Sequence, residues 1–359
     1  MKSKELERLR LHIDELDEAI AGLLEQRLET ARAIGFAKGE IAVYDPVRED
    51  EVIRRLQKLH PGIESGALAA IQREIISLCR SAQTPLQVAC MGPCGSYSQQ
   101  AALLAMGRSV KTLFVLDPRE ALQAVEKGEA DLAVVPVENT IEGVVYSTLD
   151  GFYASDRDLK VAREVCLPIR HVLASRSGEL GNIREVRSHP QALAQCRIWL
   201  DTHLPGIPRI PVSTTSTAAV MAAENGELAA VCNELAAEIN GLPVFARNIQ
   251  DQIHNMTRFW AVGRQDVKAG PENKTSLLFA VAHTPGSLLG ALKPLLETEL
   301  NLTFIQSRPM PGNPFEYVFF VDLEGHIQDK LVSDALERMR TFCFRLRILG
   351  SYPCGGQNP

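Results

Sequence analysis

Near the start of the chain apolar residues recur in alternating steps of three and four, at Leu6, Leu9, Ile13, Leu16, Ile20 and Leu23. That spacing predicts a long helix with one seam directed at a partner. The same face continues through Arg27, Ala31, Ile34 and Lys38, so two cations enter an apolar stripe. Asp45-Pro46 supplies an N-cap followed by proline at the first helical position, opening a second helix that ends before Pro61-Gly62. A third is predicted from about Ala67 to Ser81.

After Thr84-Pro85 the period changes. Short β-rich runs, among them Leu86 to Met91, Thr112 to Val115 and Leu132 to Val137, alternate with helical stretches, which predicts an α/β region with largely parallel strands. Asp117-Pro118 with Glu120 marks one helix start clearly. From Lys274 the order is strand (Thr275 to Ala282), helix (Pro285 to Glu297), strand (Leu302 to Ser307), strand (Tyr317 to Leu323), helix (Gln328 to Phe342) and strand (Arg345 to Leu349). This βαββαβ order is the ferredoxin-like split motif, an α+β fold that by itself carries no function. The chain is therefore multidomain: all-α over residues 1–84, α/β over 86–265 and ferredoxin-like over 273–359.

Composition narrows the classes. With 359 residues, 45% of them hydrophobic, the chain can bury the cores of two or three domains. The longest uncharged apolar run, Leu132 to Val137, falls far short of the ~18 residues of a membrane helix, and no signal-peptide pattern opens the chain. A cytoplasmic protein without a membrane partner is expected. A net charge of −6 without a long basic block offers nucleic acid no attracting field, so any anion site is local. The eight cysteines are scattered; Cys90 and Cys94, the closest pair, flank a glycine turn, and no histidine cluster accompanies them. Reduced thiols and no metal are expected. The dinucleotide glycine fingerprint and the P-loop are missing, so no cofactor is expected either.

Arg27 and Lys38 lie about three turns apart on one helical face, and Arg10 flanks the seam earlier. Arg48 falls in the first turn of a helix, an end the dipole already makes positive, which suits a docked anion. Cys79 and Gln83, four apart, share a face of the third helix. Two readings stand: the cations pair with Glu25, Asp14 or Glu49 on neighbouring helices, or they surround an anionic ligand. Through Arg27, the Gly35-x-x-Lys38 step and Asp45-x-x-Arg48-Glu49, residues 5 to 85 resemble the all-helical chorismate mutase family. The resemblance implies that Arg10, Arg27 and Arg48 hold the two carboxylates of chorismate. It also implies that Lys38 and Gln83 bond the ether oxygen and Glu49 a hydroxyl. Such a pericyclic rearrangement needs no nucleophile or proton shuttle, only a compact conformer and stabilised charge on the breaking C–O bond. An intertwined homodimer, or a higher homo-oligomer, is implied as well, with Arg10 lent to the partner's site.

Four polar segments follow apolar runs in the central region: Gly92-Pro93-Cys94-Gly95-Ser96-Tyr97-Ser98, Glu138-Asn139-Thr140, Ser188-His189-Pro190 with Gln195, and Ser213-Thr214-Thr215-Ser216-Thr217. Binding loops of α/β folds sit in such places, although each segment also reads as a cap or turn. Together with Asn255-Met256-Thr257-Arg258-Phe259 they resemble, in the same order, prephenate dehydratase over residues 86 to 265. The resemblance implies two α/β lobes of the type II periplasmic-binding-protein kind with the site in their cleft. In it Thr257 is the general acid for the departing ring hydroxyl, while Asn139, Ser188, Gln195 and Arg258 contact substrate and Glu138 holds the network. Threonine is a very weak acid, so its contribution rests on its hydrogen bonds. Strand alternation, moreover, would turn Arg258 away from Thr257. His189, beside Pro190 at a helix start, reads as structural.

Pro285-Gly286-Ser287-Leu288 and Ser307-Arg308-Pro309 resemble the two effector motifs of the ACT domain that follows dehydratase domains. That resemblance implies phenylalanine as allosteric effector, bound at a dimer interface by Gly286, Ser287, Leu288, Ser307, Arg308 and Pro309. Gln306 stands where the family's second motif usually begins with glutamate. The three segments in this order resemble the bifunctional chorismate mutase/prephenate dehydratase family of phenylalanine biosynthesis. Its members turn chorismate into prephenate and prephenate into phenylpyruvate. Two rivals are a non-catalytic amino-acid or carboxylate sensor, and an enzyme that retains only the dehydratase activity. Thr257 and the filled cation set separate them, since a sensor needs neither.

Overall fold

The computed structural model describes residues 2–38, 44–155, 158–310 and 316–355. It forms two compact units, Met1–Leu86 with Met106–Lys111, and Gln87–Ala105 with Thr112–Pro359.

The first unit is helical. Helix α1 (Lys2–Lys38) runs unbroken for 37 residues. Along it Leu9, Ile13, Leu16, Ile20 and Leu23 remain 46–64% exposed, so the predicted seam has no cover among the described residues. Helix α2 (Pro46–Leu59) starts where the sequence places it, with Asp45 accepting the Arg48 N–H at 3.0 Å. Helix α3 (Ser65–Gln83) begins two residues before the predicted Ala67, because Glu64 caps it by accepting from the Gly66 and Ala67 N–H groups. Those two bonds also hold the Glu64 carboxyl below its ordinary range.

The second unit opens with β1 (Gln87–Met91), α4 (Tyr97–Met106), β2 (Lys111–Val115), α5 (Pro118–Lys127), β3 (Leu132–Asn139), β4 (Gly143–Val144), α6 (Tyr146–Ala154) and β5 (Lys160–Pro168). A second lobe follows with β6 (Val172–Ala174), β7 (Glu185–Ser188), α7 (Pro190–Gln195), α8 (Arg197–His203), β8 (Arg209–Pro211), α9 (Thr215–Glu224), β9 (Leu228–Cys232), α10 (Glu234–Ile239) and β10 (Val244–Arg247). Strand β11 (Met256–Gly263) then returns to the first sheet, whose order is β2-β1-β3-β11-β5 with β4 beside β3; the second sheet is β10-β6-β9-β7-β8. Both sheets are mixed, which corrects the largely parallel expectation. β1·β3, β7·β8 and β7·β9 are parallel, but β11 starts beside the carboxyl end of β3 and so runs antiparallel to both β3 and β5.

The chain ends in β12 (Asn273–Ala280), α11 (Ser287–Glu297), β13 (Leu302–Pro309), β14 (Tyr317–Glu324), α12 (Lys330–Arg340) and β15 (Arg345–Pro353), with sheet order β13-β14-β12-β15 and antiparallel pairing throughout. This is the expected split βαββαβ fold. Its sheet is buried on both faces. Phe319, Val321 and Leu323 of β14 pack with Leu295 and Leu336 of the two helices. The alternate residues Val318 and Phe320 join Trp260, Leu149 and Phe152 in the core of the first lobe.

Candidate functional site

A cavity of about 330 Å³ lies between the two lobes, lined by Ser96 to Ser98, Asn139, His171, His189, Gln195, Ser213 to Ser216, Asn255 and Thr257. Strand β11 places Thr257 opposite Asn139 of β3, so the two polar side chains share one face at the cavity floor. Asn139 Oδ1 accepts the backbone N–H groups of Ile141 (2.9 Å) and Glu142 (3.0 Å). That fixes the amide orientation. Its nitrogen therefore faces Asn255 Oδ1 (2.7 Å) and donates to Thr257 Oγ1 (2.8 Å). Since an amide nitrogen only donates, Thr257 accepts in this bond and its own hydroxyl proton is left for the cavity.

The far wall continues the network. Buried His171 stands between Tyr97 Oη (2.8 Å) and Gln195 Oε1 (2.9 Å), and Asn255 Nδ2 approaches the same Gln195 oxygen at 3.5 Å. Burial pushes the imidazole below its ordinary range, partly offset by the Gln195 bond. Gln195 Nε2 is buried without a partner among the described residues, a donor waiting for an acceptor. Among the described residues no Asp, Glu, Lys or Arg lines the cavity. Anion binding there falls to hydroxyls and to N–H groups at the starts of α4 and α9, the latter capped by Thr214 Oγ1 on the Thr217 N–H (2.9 Å). Burial pushes the Cys90 and Cys196 thiols up to about 12, which keeps those two protonated.

Two expected substrate contacts are placed elsewhere. Ser188, at the end of β7, is fully buried and donates to the Val231 carbonyl at 2.6 Å, because its side chain points between strands. Arg258 follows Thr257 on β11 and so faces the opposite side. Glu138 Oε1 lies 2.8 Å from its Nε, Glu164 Oε2 3.1 Å from its Nη1, and Asp322 of β14 also pairs with Nη1. Burial would lower the Arg258 pKa, but Asp322, Tyr352, Glu164 and Glu138 together outweigh it and raise it.

In the helical unit Gly35 lets α1 approach the end of α3: a Cβ there would stand 3.1 Å from Gln83 Cβ. The Gln83 Oε1 is buried without a partner among the described residues. Arg27 reaches the Ile75 carbonyl at 3.4 Å, while Arg10 is exposed and Arg48 lies 3.2 Å from Glu51. Neither Arg10 nor Arg27 has a carboxylate within ion-pair distance among the described residues, so the neighbouring-helix pairing does not form for them. Lys38 ends α1, and its side chain lies outside the described residues. Glu49 pairs with Arg80, a buried cation that also donates to the Met106 carbonyl and stacks over Tyr44.

In the C-terminal fold a second cavity, about 340 Å³, is lined by Val281 to Pro285, Ser287, Leu288, Tyr317 and Phe319. Gly286, in the left-handed region at φ 86°, caps α11 beside it. Ser307, Arg308 and Pro309 do not line it. They lie on β13, one strand beyond β14, and Arg308 binds Asp150 of α6 through Nε (2.9 Å) and Nη2 (2.8 Å).

The sequence profile of chorismate mutase type II matches residues 9–84, and that of prephenate dehydratase matches residues 88–267. The bifunctional chorismate mutase/prephenate dehydratase of Aquifex aeolicus is 42% identical over 98% of this chain and 98% of its own. The chain belongs to the bifunctional chorismate mutase/prephenate dehydratase family. Such a chain is a two-activity enzyme of phenylalanine biosynthesis, a mutase in its helical part and a dehydratase in its α/β part. Two solved structures share the dehydratase architecture. The prephenate dehydratase of Arthrobacter aurescens in complex with L-Phe has a TM-score of 0.69 at 34% identity, covering 76% of this chain and 92% of that one. A quorum-quenching acylase has a TM-score of 0.67 at 30% identity, covering 76% of this chain and all of that one.

Two buried residues bonded to the expected site residues, His171 to Gln195 and Arg80 to Glu49, went unmarked by sequence pattern. His171 is a lone histidine after Pro168-Ile169-Arg170, with no periodic signal. Arg80 had one usable sign, a cation on the apolar face of α3 next to Cys79. No described helix is long and apolar enough to cross a membrane, and no metal-ligating cluster occurs among the described residues.

Proposed function

We propose that the lobe cavity is the dehydratase site and Thr257 its proton donor. The supporting observation is the direction of the Asn139–Thr257 bond. Asn139 donates, so the threonine proton points at whatever occupies the cavity. Prephenate dianion plus one proton gives phenylpyruvate anion, carbon dioxide and water. Thr257 hands its proton to the leaving ring hydroxyl and takes the replacement from solvent entering the cavity, so the one proton consumed comes from water and the hydroxyl is restored, while Gln195 Nε2 bonds the substrate. The ring carboxylate leaves as carbon dioxide from a cavity whose described lining offers hydroxyls and N–H groups but no Lys or Arg, so no full counter-charge ties it down.

In the helical unit Arg27, Arg48, Lys38 and Arg10 of a second copy surround chorismate, with Gln83 on the ether oxygen and Glu49, tied to Arg80, on a hydroxyl. The uncovered α1 seam supports a homodimer, or a higher homo-oligomer, in the cytoplasm. The C-terminal fold acts as an ACT domain, and the cavity at Gly286 to Leu288 takes phenylalanine as feedback effector. The Ser307 to Pro309 motif completes that site from the partner chain. The two lobes act in the manner of a type II periplasmic binding protein. Isothermal titration showing no phenylalanine binding would remove the regulatory part.

Following chorismate loss and phenylpyruvate appearance separately tests the catalytic part. Thr257→Ala is expected to accumulate prephenate, whereas Arg27→Ala blocks the first step but still dehydrates supplied prephenate. Loss of both activities in both variants, with both still folded, would overturn the two-site assignment.

A further inference from the structure

We propose that Arg258 is a positioning residue of the dehydratase step, and that Asp322 of the C-terminal sheet is the counter-ion that lets it work. The proposal rests on Thr257 being the proton donor. Three observations carry it.

On β11 the pairs Thr257↔Asn139 and Arg258↔Glu138 are consecutive, and the register then slips, with Phe259 opposite Pro136. Strand β3 thus holds one extra residue, Val137, directly beside the reacting pair. A bulge re-aims the side chains next to it, and its angle needs to be held. The Arg258–Glu138 ion pair, 2.8 Å, spans this bulge on the face away from the cavity.

Next, the guanidinium is 7% exposed and held from two domains. Its Nη1 contacts Glu164 of β5 and Asp322 of β14, and its plane lies over Phe304 of β13 at 4.8 Å. Asp322 is itself fixed by Ser276 Oγ, which in turn faces Tyr352 Oη at 2.6 Å. Because the serine proton goes to the carboxylate, Tyr352 donates to Ser276. The bonds converge on the Asp322 carboxylate, which accepts from Ser276 on one oxygen and from Arg258 Nη1 of β11 on the other.

Finally, the buried charges stay balanced when Asp322 is made neutral. Arg258 and Lys274 face Glu138, Glu164 and Asp322. Changing Asp322 to asparagine leaves two cations with two carboxylates, and keeps an acceptor for Ser276. That variant tests position rather than survival.

The experiment uses the full chain with supplied prephenate, measuring kcat and KM separately, with mutase activity as an internal control. Asp322→Asn is expected to lower dehydratase kcat on the order of tenfold, since misplacement of a reacting group by about 1 Å costs up to ~10². KM is expected to stay within about twofold, as for loss of an interaction made only in the transition state. Arg258→Gln should fall further, Arg258→Lys should recover part of that loss, and the double variant Arg258→Gln/Asp322→Asn should be no worse than Arg258→Gln alone. Thr257→Ala, run alongside, reads the proton-donor assignment independently. A raised KM with unchanged kcat in Arg258→Gln would make it a substrate ligand and overturn the proposal, as would an unchanged kcat in Asp322→Asn.

Discussion

Replacing Asn139 by aspartate changes one atom type and reverses one hydrogen bond. One carboxylate oxygen keeps the two backbone N–H bonds from Ile141 and Glu142. The other now faces Thr257 Oγ1 at the position of a donor it cannot replace, and the threonine hydroxyl turns to donate to it. The proton meant for the leaving hydroxyl is withheld. General acid catalysis contributes ~10²–10⁴ in rate, about 3–5 kcal/mol of barrier, so dehydratase kcat should fall by at least about a hundredfold. Asn139→Ala is the larger structural change, because it strands the two N–H groups, yet it leaves the Thr257 proton free. The aspartate variant should therefore be the slower of the two. Phenylpyruvate formation from supplied prephenate measures this, with chorismate consumption as the folding control. If Asn139→Ala proved slower than Asn139→Asp, the direction of the Asn139–Thr257 bond could not be what sets the rate.

Three further outcomes follow from the geometry. Gly35→Ala gains helix propensity of ~0.5–1 kcal/mol but presses on Gln83 from 3.1 Å, so mutase kcat should fall several-fold without loss of helical stability, checked by circular dichroism and chorismate turnover. The His171 value lies below the ~6.5 of the unfolded chain, so the unfolded chain takes up the proton first. Its contribution is present above ~6.5 and lost as pH falls through the folded value, so resistance of the dehydratase activity to heat should decline below ~6.5, and less steeply in His171→Asn. Gly286→Ala forces a Cβ into the left-handed region at a cost of ~1–2 kcal/mol and should weaken phenylalanine binding in titration calorimetry while leaving uninhibited turnover unchanged.

Local rules made the helix boundaries legible: Asp45-Pro46 and Asp117-Pro118 both cap helices where the sequence placed them. The βαββαβ order also needed only periodicity. The direction of β11 did not follow from either, because it depends on where the chain re-enters a sheet after building a whole second lobe. Asn139, Gln195 and Thr257 line one cavity, because Asn139 closes β3, Gln195 closes the helix after β7 and Thr257 opens β11. Ser188 and Arg258 stand beside them in sequence but not in space. One residue of strand is enough to exchange the cavity for the core. His171 and Arg80 act through bonds to residues between 24 and 74 positions away, a range that no window of periodicity spans.

Strand β14 serves two cores at once, with Val318 and Phe320 toward the first lobe and Phe319 and Val321 toward the C-terminal helices. The C-terminal fold is therefore not an exchangeable cassette. A chimera that imported another protein's C-terminal sheet would have to import the facing side of the first lobe too, including Trp260, Leu149 and Glu164. The helical unit, by contrast, takes only Met106–Lys111 from the α/β part of the chain. Recombination is therefore expected to carry the dehydratase lobes and the C-terminal fold as one inherited block, and to exchange the helical mutase segment only where Met106–Lys111 can be matched to it.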